Sequence, residues 1–355
     1  MTPTVFFVTR KWPPAIGGME TYSLRLTEAL AAHAEVEVAA LPGRADGAPP
    51  GVLSLLAFPL TVLRRWRARP APPDILHLGD MAIWPLGLLA RLARGRTRVV
   101  ISAHGTDVAY PRRGGIRGRL YGAYLRLGRR LVRAAVIANS GATREVAAET
   151  GWETQRVIPL ATDTADGSSV DGRHNGRALF CGRLVRRKGL SWFAREVAPH
   201  LAEGFRLDVA GSRWDASEAE ALDSPRIDDL GPVPHERLPR RYADALCVIL
   251  PNVETPEGEY EGFGLVACEA AAAGGVVLAA KRDGLTDAVI DGVTGFLIPS
   301  GDAAAWRAAI EEVAGWSAAQ RRDFIAASQA RARAHFAWER VAQETAAVYR
   351  EVLGA

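Results

Sequence analysis

Short, mostly apolar segments recur along this chain, and each ends in small or polar residues before a stretch with helical character. Apolar segments of this length predict strands buried on both faces, and their alternation with helices predicts a parallel, doubly wound sheet. The segments of the first half are TVFFVT (4–9), VEVAAL (36–41), DILHL (74–78), RVVISAH (98–104) and AAVIANS (134–140).

The alternation is interrupted at residues 161–177, whose Gly, Ser and Asp content is typical of a linker. The pattern then restarts, and 355 residues are enough for two domains with a core each. We therefore predict an α/β protein with two Rossmann-like, doubly wound parallel-sheet domains that face a central cleft, where a ligand would bind. The second set of segments is ALFCGR (178–183), RLDVAG (206–211), ALCVILP (245–251) and GVVLAA (275–280).

Cysteine usage and hydropathy indicate the compartment. Cys181, Cys247 and Cys268 stand far apart in apolar surroundings, which favours buried thiols over a disulfide framework or a metal site. The apolar core at the N-terminus is too short for a signal peptide. No window reaches the roughly 18 apolar residues of a membrane span. We therefore expect a cytoplasmic protein, with peripheral attachment to the inner face of the membrane as the alternative.

Two glutamates, Glu261 and Glu269, flank the start of a predicted helix. The apolar run Leu265–Ala273 contains no Gly or Pro and stops at a glycine pair, which predicts a helix that begins just after Gly264. The free amides and the dipole at a helix N-terminus form a phosphate site. Carboxylates on either side of it suit a ligand with hydroxyls at both ends of a diphosphate, such as a nucleotide sugar.

This stretch resembles the donor-site signature of the retaining glycosyltransferases with the GT-B fold, and the chain is identified as a member of glycosyltransferase family four. The resemblance implies that Glu269 binds the ribose and that Glu261 binds hydroxyls of the transferred sugar. It also implies a donor-binding segment of four residues between the two glutamates: Phe263, Gly264, Leu265 and Val266.

The segment GRLVRRKG (182–189) follows the first strand of the second half and resembles the family's Arg and Lys pair on the donor diphosphate, here Arg183 and Lys188. A departing nucleoside diphosphate gains negative charge, which cations must stabilise. Many glycosyltransferases use a metal held by Asp-x-Asp, but no two aspartates of this chain are separated by one residue. We therefore expect no metal and no cofactor.

In the first half, Gly17 and Gly18 lie between a strand and a helix, where the family's loop approaches the donor or the acceptor. His104 stands at a strand end, where the family has a histidine near the donor sugar. Asp107 is expected either to orient this loop or to contact the acceptor. The predicted catalytic residues are His104, Glu261, Arg183 and Lys188.

Some positions depart from the family pattern. Val276 replaces the usual Pro of Gly-x-Pro-Val-Val, and Asp283 to Asp287 replace the usual Gly-Gly-x-x-Glu. Three further glutamates precede Glu261. We expect them to be solvated, with contact to a sugar or acceptor as the alternative: they are Glu254, Glu257 and Glu259.

Basic residues concentrate in the first half. Residues 1–165 hold 22 Lys+Arg and 12 Asp+Glu, whereas the whole chain has a net charge of only +4. Arg112–Arg133 contains eight arginines and no acid, and Arg64–Arg69 contains four arginines after an apolar run. These segments fit an anionic membrane surface. Alternatively, the leucines of the 116–133 helix pack on the sheet while its arginines are solvated. We find no nucleic-acid-binding module.

Taken together, the resemblance implies a metal-independent, retaining hexosyltransferase that moves a sugar from UDP-sugar, or less favourably GDP-sugar, to a hydroxyl acceptor in glycoconjugate or polysaccharide synthesis. Two alternatives stay open: a GT-B nucleotide-sugar epimerase or hydrolase, and a catalytically silent nucleotide-sugar or membrane-binding protein. The predicted domains are an acceptor-side domain (1–165), a nucleotide-sugar-binding domain (166–335) and a C-terminal helix (336–355) that crosses back to the first domain.

Overall fold

A computed structural model describes residues 2–15, 17–93, 96–163 and 172–354. The chain divides into two compact units, one formed by residues 1–160 with 338–355 and the other by residues 161–337. Much of the predicted linker, including the predicted boundary at residue 165, lies outside the described residues.

The first unit contains a six-stranded parallel sheet with the order β2-β1-β3-β4-β5-β6. Its central strands are buried along most of their length, as expected for a sheet that helices cover on both faces. The strands are β1 (Thr4–Trp12), β2 (Glu35–Pro42), β3 (Ile75–Leu78), β4 (Arg98–Ala103), β5 (Ala134–Ala138) and β6 (Thr154–Val157). The helices are α1 (Gly18–Leu30), α2 (Val52–Ala68), α3 (Thr106–Ala109), α4 (Gly115–Leu131) and α5 (Gly141–Ala148), with a 3₁₀ segment at Met81–Ala93 between β3 and β4.

The second unit contains another six-stranded parallel sheet, with the order β12-β11-β10-β7-β8-β9. Counted from β7, this is the strand order of a dinucleotide-binding sheet. The strands are β7 (Ala178–Cys181), β8 (Leu207–Ala210), β9 (Ile227–Gly231), β10 (Cys247–Leu250), β11 (Val277–Ala280) and β12 (Phe296–Ile298). The helices are α6 (Leu190–Glu196), α7 (Ala216–Ala219), α8 (Leu238–Asp244), α9 (Leu265–Ala273), α10 (Leu285–Ala288), α11 (Ala303–Ala314) and α12 (Ala318–His335).

The last helix, α13 (Trp338–Leu353), belongs to the first unit and packs against α1. Its Tyr349 is fully buried, and the hydroxyl oxygen lies 2.6 Å from Nδ1 of His77 on β3. Nε2 of the same imidazole lies 2.8 Å from the Ser102 hydroxyl on β4. Both ring nitrogens of this buried histidine therefore have partners, one of them supplied by the end of the chain.

Helix α4 packs differently from the alternative in which its leucines cover the sheet. Its buried positions are Gly118, Gly122, Leu125 and Gly128. The side chains of Leu120, Leu127 and Leu131 are exposed instead. Because Trp84 and Pro111 approach the helix closely, the contact face accepts glycine where leucine would clash. An apolar stripe is therefore left facing outwards.

Candidate functional site

Strand order brings two distant segments together in the second unit. β7 and β10 are neighbours, and the chain turns towards opposite sides of the sheet from them, so that their carboxyl ends form the topological switch point where ligands of such sheets bind. The segment with Arg183 and Lys188 follows β7, and the segment with Glu261 follows β10. The sheet therefore explains why residues some 75 positions apart in sequence share one site.

Lys188 and Glu261 form the central ion pair of this site. Lys188 Nζ lies 2.6 Å from Glu261 Oε2, and both side chains are largely buried. Arg187 Nε lies 3.7 Å from the same carboxylate oxygen. Burial by itself would raise the pKa of Glu261, but the charges of Lys188 and Arg187 outweigh it and hold that pKa below its ordinary value. Glu261 is therefore ionised at neutral pH.

Arg183 stands apart from this pair. Its guanidinium lies over the indole ring of Trp214, with 5.1 Å between Cζ and the ring centroid. Burial, followed by repulsion from Arg187, lowers the pKa of Arg183 below its ordinary value. Among the described residues, no carboxylate lies within ion-pair distance of it. Arg183 is thus a cation whose charge remains available to an anionic ligand.

Two of the three glutamates that precede Glu261 form ion pairs with arginines. Arg186 Nη1 lies 3.4 Å from a carboxylate oxygen of Glu257, and Arg187 Nη1 lies 3.8 Å from one of Glu259. With the Lys188–Glu261 pair, three consecutive cations face three glutamates spaced two residues apart. Neither segment is extended: Arg186–Lys188 forms a 3₁₀ turn, and the glutamate loop turns at Gly258, whose φ is 63° and whose amide donates to the Thr255 carbonyl at 2.9 Å. Glu254, the first of the run, is exposed.

Helix α9 begins where the sequence predicts. Gly264 adopts a φ of 97° before the first turn, and a Cβ there would lie 2.5 Å from Leu285 Cδ2, so only glycine fits without strain. The amides of Leu265 and Val266 have no intrahelical partner because they lie in the first turn. The ring of Phe263 is buried and contacts the ring of Phe336. The backbone of Phe263, and not its side chain, is therefore the part that could contact a ligand at the helix N-terminus.

Glu269 lies on the second turn of α9 and accepts a hydrogen bond from Tyr242, a residue that the sequence did not predict for the site. The Tyr242 hydroxyl lies 3.4 Å from Glu269 Oε2 and 3.3 Å from Cys181 Sγ at the end of β7. Burial raises the pKa of Glu269, although the charge of His235 and the bond from Tyr242 oppose that effect. Tyr242 follows no strand end, so the sequence carried no signal for this contact.

In the first unit, Asp107 holds the loop that carries His104. Asp107 Oδ1 accepts bonds from the amides of His104 and Gly105 at 3.0 and 2.8 Å, and Oδ2 accepts one from Met81 at 3.1 Å. Of the two predicted possibilities for Asp107, the geometry supports orienting the loop, because both oxygens are occupied and the residue is buried. His104 Nε2 lies 3.0 Å from the Gly79 carbonyl, which can only accept, so this nitrogen carries a proton.

Gly17 and Gly18 lie at the start of α1, as predicted, but a carboxylate faces them. A Cβ on Gly17 would lie 2.5 Å from Glu20 Oε2, and Glu20 is buried and paired with Lys11 at 3.2 Å. The glycine therefore makes room for an acid in the first helical turn, where that charge already interacts with the helix dipole.

A second pair at the same edge of the first sheet was missed. Arg10 Nε lies 3.2 and 3.1 Å from the carboxylate oxygens of Asp80, which is fully buried. Burial raises the pKa of Asp80, and the Arg10 charge opposes it. Both residues lie near the ends of neighbouring strands, as His104 does, so the position of Asp80 just after β3 was a signal in the sequence.

Two family models match the chain, one for each unit. Residues 16–166 match Glycosyltransferase Family 4, and residues 175–315 match Glycosyl transferases group 1. The two matches contain every residue that the sequence predicted for the site. The chain belongs to glycosyltransferase family four. Arg183, Lys188, Glu261 and Glu269 of this family member fall within the group 1 match, and His104 falls within the other.

Curated relatives and solved structures agree with this assignment. The D-inositol 3-phosphate glycosyltransferases of Acidothermus cellulolyticus and Mycobacterium tuberculosis are 32% and 35% identical to the chain, over 56% and 55% of its length. The matched regions cover 48% and 40% of those relatives, so the chain spans less than half of their length in these matches.

Whole-chain similarity confirms the fold class. Sucrose-phosphate synthase from Thermosynechococcus elongatus superposes with a TM-score of 0.73 at 22% identity and covers 99% of both chains. Anabaena HepE, solved in complex with UDP and glucose, has a TM-score of 0.71 at 19% identity and covers 98% of this chain and 100% of its own. The two six-stranded parallel sheets are those of the GT-B fold, as predicted.

The described residues provide neither a cluster of metal-ligating side chains nor a helix that could span a membrane. Among them, no group of three or more His, Cys, Asp or Glu side chains is arranged to hold a metal ion. Within the same part of the chain, every helix is too short or too polar to cross a bilayer. All three cysteines are described, and they are buried thiols without a disulfide between them.

Proposed function

We propose that this family member transfers a hexosyl group from a nucleotide diphosphate sugar to a hydroxyl acceptor, with retention of configuration and without a metal ion. UDP-sugar is the favoured donor and GDP-sugar the second choice. The observation that carries the proposal is the buried Lys188–Glu261 pair beside the N-terminus of α9, with Arg183 at the same edge of the sheet. HepE, a structure of the same fold, was solved with UDP and glucose, which supports the donor class.

The proposed chemistry uses the charges of the second unit. As the bond between C1 of the sugar and the diphosphate breaks, its electron pair stays on the diphosphate oxygen. Lys188, Arg183 and the first amides of α9 stabilise that charge. An ammonium group has three donors, so Lys188 can bind a phosphate oxygen while it keeps its bond to Glu261.

The acceptor side of the reaction completes the balance. The acceptor hydroxyl adds to C1 on the face that the diphosphate leaves, and its proton passes to the departing phosphate oxygen. Glu261 would bind sugar hydroxyls and Glu269 the ribose, while His104 would bind the sugar from the first unit. No protein nucleophile is required, and none is assigned.

A thermal-shift panel tests the donor site directly. UDP, GDP, ADP and dTDP are added at about a hundred times the expected dissociation constant, each with and without EDTA. A ligand at this level stabilises the folded state by about 2.7 kcal/mol, which shifts the midpoint by several degrees. We expect UDP to stabilise equally well with EDTA. Stabilisation by no diphosphate, or only with a divalent metal, would contradict the proposal.

Turnover separates the remaining alternatives. A transferase consumes UDP-sugar only when a hydroxyl acceptor is present, and NMR of the product shows an α-glycoside. A hydrolase or epimerase consumes donor without an acceptor. A silent binding protein gives the thermal shift but no consumption under either condition.

We propose further that the first unit binds an anionic membrane surface from the cytoplasmic side, which would bring the enzyme to a lipid-linked acceptor. Large apolar side chains are exposed on α2, on the 3₁₀ segment Met81–Ala93 and on α4. Connections that advance across a parallel sheet in one direction lie on one face, and these three segments link β2 to β3, β3 to β4 and β4 to β5. The exposed residues are Val52, Leu53, Leu56, Leu60, Leu92, Ile116, Leu120, Leu127 and Leu131.

Charge on the same segments selects the partner. The residues from Arg112 to Arg133 include no acid, and although Arg112 and Arg129 have partners in Glu149 and Glu153, the stretch remains strongly basic. An exposed apolar patch surrounded by arginines matches the interface of an anionic bilayer, where each cation contributes about 1 kcal/mol.

Vesicle binding tests the membrane proposal. Vesicles with anionic lipid should retain the protein at low salt, and high salt or neutral lipid should release it. Replacing Leu53 and Leu56 by Ser should weaken retention several-fold, whereas the matched change Val293→Ser, at an exposed site of the second unit, should not. Equal binding to neutral vesicles, or no binding to either kind, would contradict it.

A further inference from the structure

Trp214 is unusual among the tryptophans of this chain because 66% of its surface is exposed. It lies in the loop after β8, and its position is held by several bonds. The indole Nε1–H donates to Ser212 Oγ at 2.9 Å. The backbone on either side is joined to Leu184, which accepts from the Asp215 amide at 3.0 Å and donates to the Ser212 carbonyl at 2.9 Å. The exposed ring is therefore held in place and tied to the segment that follows β7.

The contact that this ring makes is with Arg183. The guanidinium lies 5.1 Å from the ring centroid, within the range of a cation–π interaction. In the part of the chain that the structure describes, no acid lies within ion-pair distance of Arg183, although the charges of Glu261 and Glu259 attract it from further away. The indole is therefore the side chain in direct contact with the guanidinium. The neighbouring cations differ in this respect, because Arg186, Arg187 and Lys188 all face glutamates.

We propose that Trp214 is a positioning residue that holds Arg183 towards the donor diphosphate. The inference rests on the proposed function and adds to it the residue that positions Arg183. A delocalised guanidinium stacks well on an aromatic face. A carboxylate in the same place would also orient Arg183 but would neutralise it, whereas an indole leaves its charge available to phosphate. This physical difference gives a reason for an aromatic side chain that is otherwise unburied.

A double-mutant cycle tests the proposal. Trp214→Ala should lower kcat/KM for the donor about tenfold, as expected for the loss of a cation–π contact that the donor desolvates. Trp214→Phe keeps a ring face and should stay within about threefold of wild type. In the Arg183→Ala background, Trp214→Ala should change kcat/KM less than twofold, because the residue that it positions is gone. Val293→Ala serves as the exposed apolar control and should leave kcat/KM unchanged.

The outcomes separate this inference from the proposed function. If Arg183→Ala is impaired but Trp214→Ala is not, or if Trp214→Ala costs the same in both backgrounds, Trp214 does not position Arg183 and the donor site stands. If Trp214→Phe is as defective as Trp214→Ala, the ring face is not what matters and the inference is wrong. If Arg183→Ala retains full activity and UDP produces no thermal shift, the donor site itself is wrong. Equal thermal midpoints of the variants without ligand exclude a folding defect.

Discussion

At the scale of one residue, Lys188 is the cation whose removal tests the proposed mechanism. It is buried, and its partner Glu261 belongs to the same proposed site. Lys188→Ala should lower kcat by at least about 100-fold, equivalent to about 2.7 kcal/mol of transition-state stabilisation, because the departing diphosphate loses a cation. Arg186→Ala is the matched control, since Arg186 lies two positions away and forms an exposed pair with Glu257. It should change kcat less than threefold. Steady-state kinetics with saturating acceptor measure both, and a loss below threefold for Lys188→Ala would remove that residue from the mechanism.

At the scale of one element, helix α4 offers two buried glycines with opposite surroundings. A Cβ on Gly128 would lie 2.7 Å from the Trp84 ring, whereas a Cβ on Gly122 would meet its nearest atom at an ordinary 3.5 Å. Gly122→Ala should therefore raise the free energy of unfolding by up to about 1 kcal/mol, since alanine is the better helix former. Gly128→Ala should lower it by about 1–3 kcal/mol, because the rigid ring must move. Urea unfolding measures both changes, and similar effects of the two substitutions would show that Trp84 does not set the packing of α4.

At the scale of the whole molecule, the buried His77 ties stability to pH. Burial lowers the pKa of His77 to about 3, whereas an unfolded histidine titrates near 6.5. The unfolded chain therefore binds the proton first as the pH falls, and stability that is present above pH 6.5 is lost progressively towards pH 3. Between pH 6.5 and 4.5, the free energy of unfolding of wild type should fall by about 2 kcal/mol more than that of His77→Asn. Urea unfolding across this range measures the difference, and parallel pH profiles would show that His77 titrates normally in the folded protein.

The fold class and the strands that lie inside the sheets were predictable from the amino-acid pattern. Interior strands such as β4 and β10 are buried on both faces, so their apolar runs are visible without a structure. The strands that the pattern missed, β6, β9 and β12, are all at sheet edges, where partial exposure weakens the apolar signal. The position of α9 was also predictable, because its glycine at the start and its glycine pair at the end act through local backbone geometry.

The contacts between side chains of the site could not be predicted in this way, because they depend on how the strands are ordered in space. Strand order places β8 and β10 on either side of β7. Three contacts depend on this order: the Lys188–Glu261 ion pair, the hydrogen bond from Tyr242 to Glu269, and the stacking of Arg183 on Trp214. The sequence also could not predict that Leu120, Leu127 and Leu131 of α4 face outwards. Periodicity shows that a helix has an apolar stripe, but only the atoms packed against the helix decide whether that stripe or its glycines face the core.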